Sequence, residues 1–388
     1  MRYLIFLLLL GFIPAGAQAL RDINYRFLYN PSEPVHVQFE PVRGGDAWTV
    51  YYSFEVRDTT VKKDDFVIQF EVRGSLSEKE GKSIQTDSVS KVHTPKQIHG
   101  QVKVPASATV QYIVVRLLNN VLQRAWYYYV TLEPNYPVRQ HLQTSNGVPV
   151  FNPYITQNTP VTVSGTSTEN IVSYYNDSFP AATPGFSESL GRVSKGMIPD
   201  SVFKVSTSQP LNFAKKGLYL MQPDTSVAEG LAFRVEDDYP RLARIENLAD
   251  PLIYICTKQE FEKIRQAKGE KKAFDRVILN VTGNAERAKI FMRSYFRRIE
   301  LANEYFTSYK EGWKTDRGMI FIVFGLPDEV FRFADREVWN YKSTSIKANF
   351  EFTKSSTVFD PNNYVLMRQK KYQSTWYEVI DLWRNARF

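Results

Sequence analysis

Residues 311–328 have the sequence EGWKTDRGMIFIVFGLPD, in which a polar turn, an apolar run and a second turn follow one another. Gly312 and Gly318 can supply the positive φ that a tight connection needs. Residues 319–324 are all apolar, which is typical of a strand that is covered on both faces. The segment therefore predicts a buried strand between two tight turns, and Pro327 suits the second position of the turn that ends it.

Helical periodicity surrounds this segment. Residues 257–260 have the spacing of a capping box and predict the start of a helix. Apolar residues then recur every three or four positions over 274–281 and 288–306, and Asn284 is a suitable N-cap for the second of these helices. Residues 372–383 show the same period. Helices before and after a small sheet make this part of the chain α+β.

The chain before residue 250 shows the alternation of β-strands. Residues 48–56 and 66–72 carry β-branched and aromatic side chains at alternate positions. Residues 110–117 and 122–130 predict a hairpin, because asparagines between them tolerate the left-handed conformation of a two-residue turn. Repeated strands at this spacing favour an antiparallel sandwich.

The patterns divide the chain into four parts. A basic start, an apolar run and an A-x-A end predict a secretory signal peptide over residues 1–19, with cleavage after Ala19. A β-sandwich domain over residues 20–134 follows. A second, looser β-sandwich-like domain occupies residues 135–249, and the α+β domain occupies residues 250–388. The predicted fold class is thus mixed β and α+β.

The pattern from about residue 250 to residue 384 resembles the GWxTD domain family, and two groups of residues carry the resemblance. The signature group consists of Gly312, Trp313, Thr315, Asp316, Arg317, Gly318, Gly325, Pro327 and Asp328. The second group, candidates for an interaction or ion network, consists of Arg298, Asn303, Arg368, Trp376, Trp383 and Arg384. The resemblance implies an exported protein of the diderm bacterial cell envelope, and it implies no reaction.

Cysteine content and charge narrow the class of protein further. The lone cysteine, Cys256, rules out an internal disulfide and a cysteine-based zinc or iron–sulfur site. An exported chain without disulfides fits a bacterial periplasm better than an extracellular animal domain. The net charge of +8 lies in residues 255–388, which carry 25 Lys and Arg against 17 Asp and Glu. Such a region could meet an acidic partner or an anionic lipid or glycan surface, or be a solvated basic face.

The sequence carries no recognisable catalytic, cofactor or metal motif. All four histidines precede residue 142, so the signature segment has no Ser-His or Cys-His pair. Asp316 and Asp328 flank the predicted strand and would lie about 20 Å apart, too far for a glycosidase pair. Both are expected to be turn-forming residues that bond nearby amides. Trp313 is expected to pack in a core rather than to offer a ligand platform.

Three arginines offer the carboxylates another role. Arg298, Arg317 and Arg368 could converge with Asp316 and Asp328 into a buried ion network. Such a network would orient the turns rather than catalyse a reaction.

The predicted function is that of a non-enzymatic interaction protein, an accessory or subunit of an envelope assembly, in the periplasm or at the periplasmic face of the outer membrane. The alternative is an envelope glycan-binding protein or glycan-processing enzyme that uses aromatic platforms and carboxylates such as Asp316 and Asp328. An envelope protein is the expected partner. No cofactor, no nucleic acid and no transmembrane span after signal cleavage are expected.

Overall fold

The structure is a computed structural model that describes residues 18–85, 96–165, 167–176, 179–188, 197–226, 230–267, 269–343 and 346–388. The predicted signal peptide lies outside these residues except for its last two positions. No helix of the described part of the chain has the length and apolar character needed to cross a bilayer.

The bounds of the regular elements are as follows. The strands are β1 (Val35–Gly44), β2 (Ala47–Val56), β3 (Phe66–Arg73), β4 (Lys82–Ile84), β5 (Gln97–Pro105), β6 (Gln111–Asn119), β7 (Arg124–Leu132), β8 (Gln140–Gln143), β9 (Tyr154–Thr156), β10 (Thr162–Gly165), β11 (Glu169–Tyr175), β12 (Ser201–Ser206), β13 (Gly217–Gln222), β14 (Leu231–Glu236), β15 (Glu329–Arg332), β16 (Arg336–Lys342), β17 (Lys347–Lys354) and β18 (Tyr364–Leu366). The α-helices are α1 (Ile245–Leu248), α2 (Lys258–Gln266), α3 (Lys271–Thr282), α4 (Ala285–Phe306), α5 (Asp316–Phe324) and α6 (Gln373–Arg384).

The first β region is an antiparallel sandwich, as predicted. One sheet has the strand order β1-β2-β5 and the other β4-β3-β6-β7. Aromatic pairs such as Phe54 and Phe66 join the two sheets, with ring centroids 5.4 Å apart. The β6–β7 hairpin is confirmed, but its turn has four residues rather than two. The side chain of Asn119 accepts the backbone N–H groups of Val121 and Leu122 at 2.9 and 2.8 Å, which stabilises the longer turn.

The second β region contains a five-stranded sheet in the order β12-β11-β13-β14-β9 and a two-stranded sheet of β10 and β8. All pairs of the larger sheet are antiparallel except β14 and β9, which run parallel. One face of this sheet packs into a small core that includes Tyr219, Met221 and Phe233. The other face meets a loop near the chain's C-terminal part, where Tyr175 contacts Phe359 edge to face.

The α+β region combines helices α2 to α6 with the four-stranded sheet β15-β16-β17-β18. The predicted helix starts are confirmed, because Thr257 caps α2 in a capping box and the Asn284 side chain accepts the Arg287 N–H at 2.9 Å. Helix α4 lies against α5, and both face the sheet. Phe306 of α4 contacts Trp339 of β16, with ring centroids 5.6 Å apart.

Residues 319–324 belong to helix α5, so the predicted buried strand is wrong. Each of these six side chains is at most 6% exposed. A short apolar run that is buried on every side has neither the period of a strand nor that of a helix, so its pattern does not separate the two. The helix is selected by its start, where Thr315 accepts the Gly318 N–H as an N-cap.

Residues 20–29 lie against the four-stranded sheet, although more than 300 positions separate the contacting groups. The side chain of Asn24 donates to Asp328 O at 3.2 Å and accepts the Val330 N–H at 3.0 Å. Tyr29 donates its O–H to Glu337 at 2.8 Å. This segment therefore covers the outer edge of β15.

Candidate functional site

Two signature glycines allow helix α5 to approach helix α4. Neither Gly312 nor Gly318 has a left-handed φ, so their predicted role in positive-φ turns is wrong. Space is the reason for glycine at both positions. A Cβ on Gly312 would lie 2.0 Å from Ala302 O, and a Cβ on Gly318 would lie 1.9 Å from Gly312 O. A side chain at Gly312 would push the signature backbone away from α4, and a side chain at Gly318 would push the start of α5 away from Gly312.

Two buried polar side chains fix this close approach. Thr315 Oγ1 accepts the Gly318 N–H at 3.0 Å and thereby caps α5. Asn303, which is 0% exposed on α4, accepts the Trp313 N–H through Oδ1 at 3.0 Å and donates through Nδ2 to Pro240 O at 2.8 Å. Both side chains satisfy backbone groups that the turn would otherwise leave unpaired.

Asp316 forms a buried ion pair at the start of α5. Its Oδ1 accepts from Arg368 Nη2 at 2.6 Å, and its Oδ2 accepts from Arg368 Nη1 at 3.3 Å and from the Leu366 N–H at 2.8 Å. The carboxylate also lies at the positive end of the helix dipole. The predicted role in a local turn is therefore wrong, because Asp316 connects α5 to groups 50 or more positions along the chain.

Arg298 of α4 binds the opposite end of α5. Its Nη1 donates to the carbonyl groups of Ile322 and Val323 at 3.0 and 3.2 Å, and its guanidinium stacks 4.5 Å from the ring centroid of Trp383. Trp383 Nε1 also donates to Val323 O at 2.9 Å. Burial lowers the pKa of Arg298 to about 10, so the group stays charged at neutral pH. A cation at these carbonyls stabilises the C-terminus of the helix.

The turn after α5 connects the helix to β15. Gly325 has a φ of +83°, so glycine is required there for its backbone conformation. The Pro327 carbonyl accepts from Arg26 Nε at 3.0 Å. Asp328 Oδ2 accepts the Lys342 N–H at 2.6 Å and thereby bonds an amide of the adjacent strand.

Arg317 points away from Asp316 toward a buried carboxylate. Its Nη1 lies 3.4 Å from Tyr29 Oη and 3.5 Å from Glu337 Oε2, and its guanidinium stacks 4.4 Å from the ring centroid of Tyr364. Glu337 is 0% exposed. A signature residue thus contacts the segment that covers β15.

The predicted convergence of three arginines on two aspartates is only partly present. Arg368 pairs with Asp316, whereas Arg298 binds carbonyl groups and Arg317 faces another carboxylate. Asp328 lies beyond the far end of α5, whose nine residues correspond to about 13 Å of helix. Asp316 and Asp328 therefore do not form a carboxylate pair at glycosidase spacing.

Glu337 is the site residue that the sequence reasoning missed. Trp339 Nε1 donates to its Oε1 at 2.6 Å, and Arg332 Nε lies 3.3 Å from its Oε2. Glu337 shares the buried face of β16 with Trp339 and Tyr341. A charged residue at an inward position of an alternating strand was the available signal, because such a group needs buried partners.

The six tryptophans of the chain are all buried, and each is at most 6% exposed. They are Trp48, Trp126, Trp313, Trp339, Trp376 and Trp383. Trp376 packs edge to face on Phe324 at the end of α5, with ring centroids 5.5 Å apart. These rings belong to the core, and none of them forms a platform on the surface.

Arg384 joins the last helix to the first helix of this region. Its Nη2 and Nη1 donate to Glu260 Oε1 and Oε2 at 2.7 and 2.9 Å. Glu260 is also the third residue of α2 and completes its capping box. The hydrogen bonds from Arg384 are the largest cause that lowers the pKa of Glu260 from 4.5 to about 2.

This ion pair predicts a specific pH dependence of stability. A depressed carboxyl pKa contributes stability that is complete above about pH 4.5 and is lost as the pH falls toward about 2. Arg384→Met should therefore lower the free energy of unfolding by about 1 kcal/mol at pH 7, a figure reduced for solvent screening. The difference from the unaltered protein should shrink between pH 4.5 and 2.5 in urea titrations. Arg276→Met, which removes an exposed arginine, is the control, and a pH-independent difference for Arg384→Met would contradict this prediction.

The comparisons with known proteins agree with the signature. The family model described as GWxTD domain matches residues 217–385. The chain contains a GWxTD domain. The match begins at the first residue of β13, so it includes two strands of the five-stranded sheet as well as the helices. No curated protein matches the chain.

Among solved structures, the chain is similar to a chimeric titin Z1Z2-Z1Z2 tandem functionalised with a GRGDS peptide from fibronectin. The identity is 16%, the match covers 52% of this chain and 97% of that chain, and the TM-score is 0.17. A TM-score this low carries no inference about the GWxTD domain.

The polar side chains of the GWxTD signature are engaged in contacts within the protein. Both oxygens of Asp316 accept hydrogen bonds, and the carboxylate is enclosed by Arg368 and a backbone amide. The described residues contain no group of His, Cys, Asp and Glu that could hold a metal ion. The signature group and the second group together join helices α4, α5 and α6 to the sheet and to residues 20–29.

Proposed function

We propose that this protein is an exported, non-enzymatic interaction protein of the bacterial cell envelope. It acts as an accessory or subunit of an outer-membrane-associated assembly, in the periplasm or at its outer-membrane face. One observation supports this proposal: the signature side chains are used in buried contacts. The function is therefore expected to depend on features of the surface.

A groove between α3 and α4 is the surface that best fits such a partner. It has a volume of about 270 Å³ and is lined largely by apolar side chains, including Phe274, Ile278 and Met292. Leu279, which also lines the groove, and Ile290, next in the chain to the lining residue Lys289, are 40% and 42% exposed. Exposed apolar side chains next to a groove between helices are typical of a helix-docking site.

The helices that form this groove carry a surplus of exposed positive charge, and the groove itself is lined by one residue of each sign, Lys289 and Asp275. The exposed basic residues of the described part of α2 to α4 are Lys258, Lys263, Arg265, Lys271, Lys272, Arg276, Lys289, Arg293 and Arg297. The exposed acidic residues between the start of α2 and the end of α4 are Glu262, Glu270, Asp275 and Glu286. An acidic amphipathic helix of an envelope protein matches both the apolar groove and the surplus of positive charge.

Site-specific photo-cross-linking in intact cells tests this proposal. With a photoreactive residue in place of Ile290, we expect a cross-link to one envelope protein through an acidic amphipathic segment. Lys289→Glu should reduce that cross-link at least tenfold, because it reverses a charge on the groove. Added salt should weaken the same cross-link in isolated envelopes.

Matched positions on the N-terminal sandwich serve as controls. A photoreactive residue in place of Val67, which is 44% exposed, should not capture the same protein. Lys103→Glu, at an exposed position of β5, should leave the cross-link at position 290 unchanged. Cross-linking only to lipid or lipopolysaccharide, or no effect of Lys289→Glu, would contradict the proposal.

A further inference from the structure

A polar cleft of about 500 Å³ lies where the first β region, the second β region and the GWxTD domain meet. Strands β1 and β2 contribute His36, Glu55 and Arg57 to its lining, and the GWxTD domain contributes Glu304, Arg317 and Arg332. The cleft is open to solvent, because the side chains of Arg332 and Glu304 are 21% and 30% exposed.

Arg317 and Arg332 form an under-satisfied positive group on one side of the cleft. Both guanidinium groups share one carboxylate, that of Glu337, at 3.5 and 3.3 Å. Tyr29 and Trp339 already donate to the other oxygen of that carboxylate. Within the described residues, the two Nη atoms of Arg332 donate no hydrogen bond. Two guanidinium groups against one carboxylate leave a surplus of one positive charge.

The group around Arg57, on the other side of the cleft, has an excess of negative charge. Its Nε donates to Glu55 Oε2 at 3.2 Å and its Nη2 donates to Glu304 Oε1 at 3.1 Å. Two carboxylates against one guanidinium leave a surplus of one negative charge. The cleft therefore presents a positive group and a negative group to the same space.

The wall between these groups is neutral and polar. Gln38 donates to Asn152 at 3.0 Å, and Tyr154 also lines the cleft. Burial, followed by the charge of Arg57, lowers the pKa of His36 to about 3, so its imidazole is neutral at physiological pH. Neutral donors and acceptors suit amide or hydroxyl groups of a ligand.

We propose that this cleft binds a small zwitterionic molecule of the amino-acid or dipeptide type, with its carboxylate on Arg317 and Arg332 and its ammonium group toward Glu304 and Glu55. Guanidinium groups with free N–H donors bind a carboxylate in a bidentate manner. The facing carboxylates disfavour polyanions such as inorganic phosphate. This inference does not depend on the groove between α3 and α4.

A ligand screen with the purified full protein tests the proposal. A library of free amino acids and dipeptides should contain members that raise the unfolding temperature, and titration calorimetry then measures their dissociation constants. For the tightest ligand, the C-terminal amide should bind at least tenfold more weakly, and the N-acetyl form should also bind more weakly. Acetate and inorganic phosphate should bind far more weakly than the parent ligand.

Two variants locate the binding. Arg332→Lys keeps the positive charge near Glu337 but loses the planar fork, so the affinity should fall about tenfold. Glu304→Gln, at a half-buried position, should weaken the binding of the zwitterion but not the binding of its N-acetyl form. Arg336→Gln, at an arginine that does not line the cleft, should change neither. The proposal would be overturned if no member of the library binds, or if the C-terminal amide binds as tightly as the parent ligand. It would also be overturned if all three variants bind the ligand with equal affinity.

Discussion

Gly318→Ala is expected to lower the free energy of unfolding of the GWxTD domain by about 3 kcal/mol or more. The added Cβ would lie 1.9 Å from Gly312 O and 3.0 Å from Thr315 Oγ1. Gly312 is itself pressed against Ala302 O, so the backbone has no room to move away. The strain would therefore fall on the cap of α5 and on the contact between α4 and α5. Urea unfolding followed by circular dichroism measures the loss.

Two comparisons separate crowding from backbone conformation as the cause. Gly44→Ala should be nearly neutral, because no atom lies within 4 Å of a Cβ at that position. Gly318→Asn should be at least as harmful as Gly318→Ala, because the larger side chain meets the same carbonyl group. A milder effect of asparagine, which tolerates a left-handed φ, would instead support the positive-φ role.

Asp316→Asn should lower the free energy of unfolding by about 3 kcal/mol, nearly as much as Asp316→Ala. Both carboxylate oxygens accept from N–H donors, so an amide would turn its own NH₂ group toward Arg368 or toward the Leu366 N–H. It would also leave the guanidinium of Arg368, whose side chain is 3% exposed, without a counter-charge. Thermal and urea unfolding of the two variants give the comparison. A nearly neutral asparagine variant would mean that Asp316 acts only as a local acceptor.

A double-mutant cycle with Arg368→Met isolates the pair. The loss of unfolding free energy in the double variant should be well below the sum of the losses in the two single variants, because each single variant leaves one buried charge unpaired. Asp335→Asn, at a side chain that is 71% exposed, is the matched control and should change stability little. Additive losses would show that the two side chains do not act as a pair.

The sequence predicted those elements that have a clear period or a capping residue. The sandwich strands alternate, and α2 and α4 begin at Thr257 and Asn284 with side-chain caps. Helix α5 has no clear period, because its apolar run is buried on all sides. Its cap, Thr315, follows a short 3₁₀ turn, and in sequence this segment resembles any polar turn.

The signature positions were predictable as a set, but their roles were not. The roles of Gly312 and Gly318 follow from a helix that crosses close to them, and sequence alone does not contain that distance. Asp316 finds its partner in Arg368, 52 positions later, and Arg317 finds Glu337 on β16. The topology of the fold determines which distant charged residues become partners. These pairs cannot be read from the sequence before the fold is known.

The segment that covers β15 makes the topology of this protein strongly non-local. Asn24 and Tyr29 bond groups that lie 304 and 308 positions further along the chain. The entropy of closing such a loop grows only with the logarithm of its length, but a high contact order slows the search for the native pairing. A fragment limited to the family match would leave the β15 edge open to pairing with a second chain. The GWxTD domain in this protein is therefore completed by residues 20–29, which lie about 300 positions before the strand that they cover.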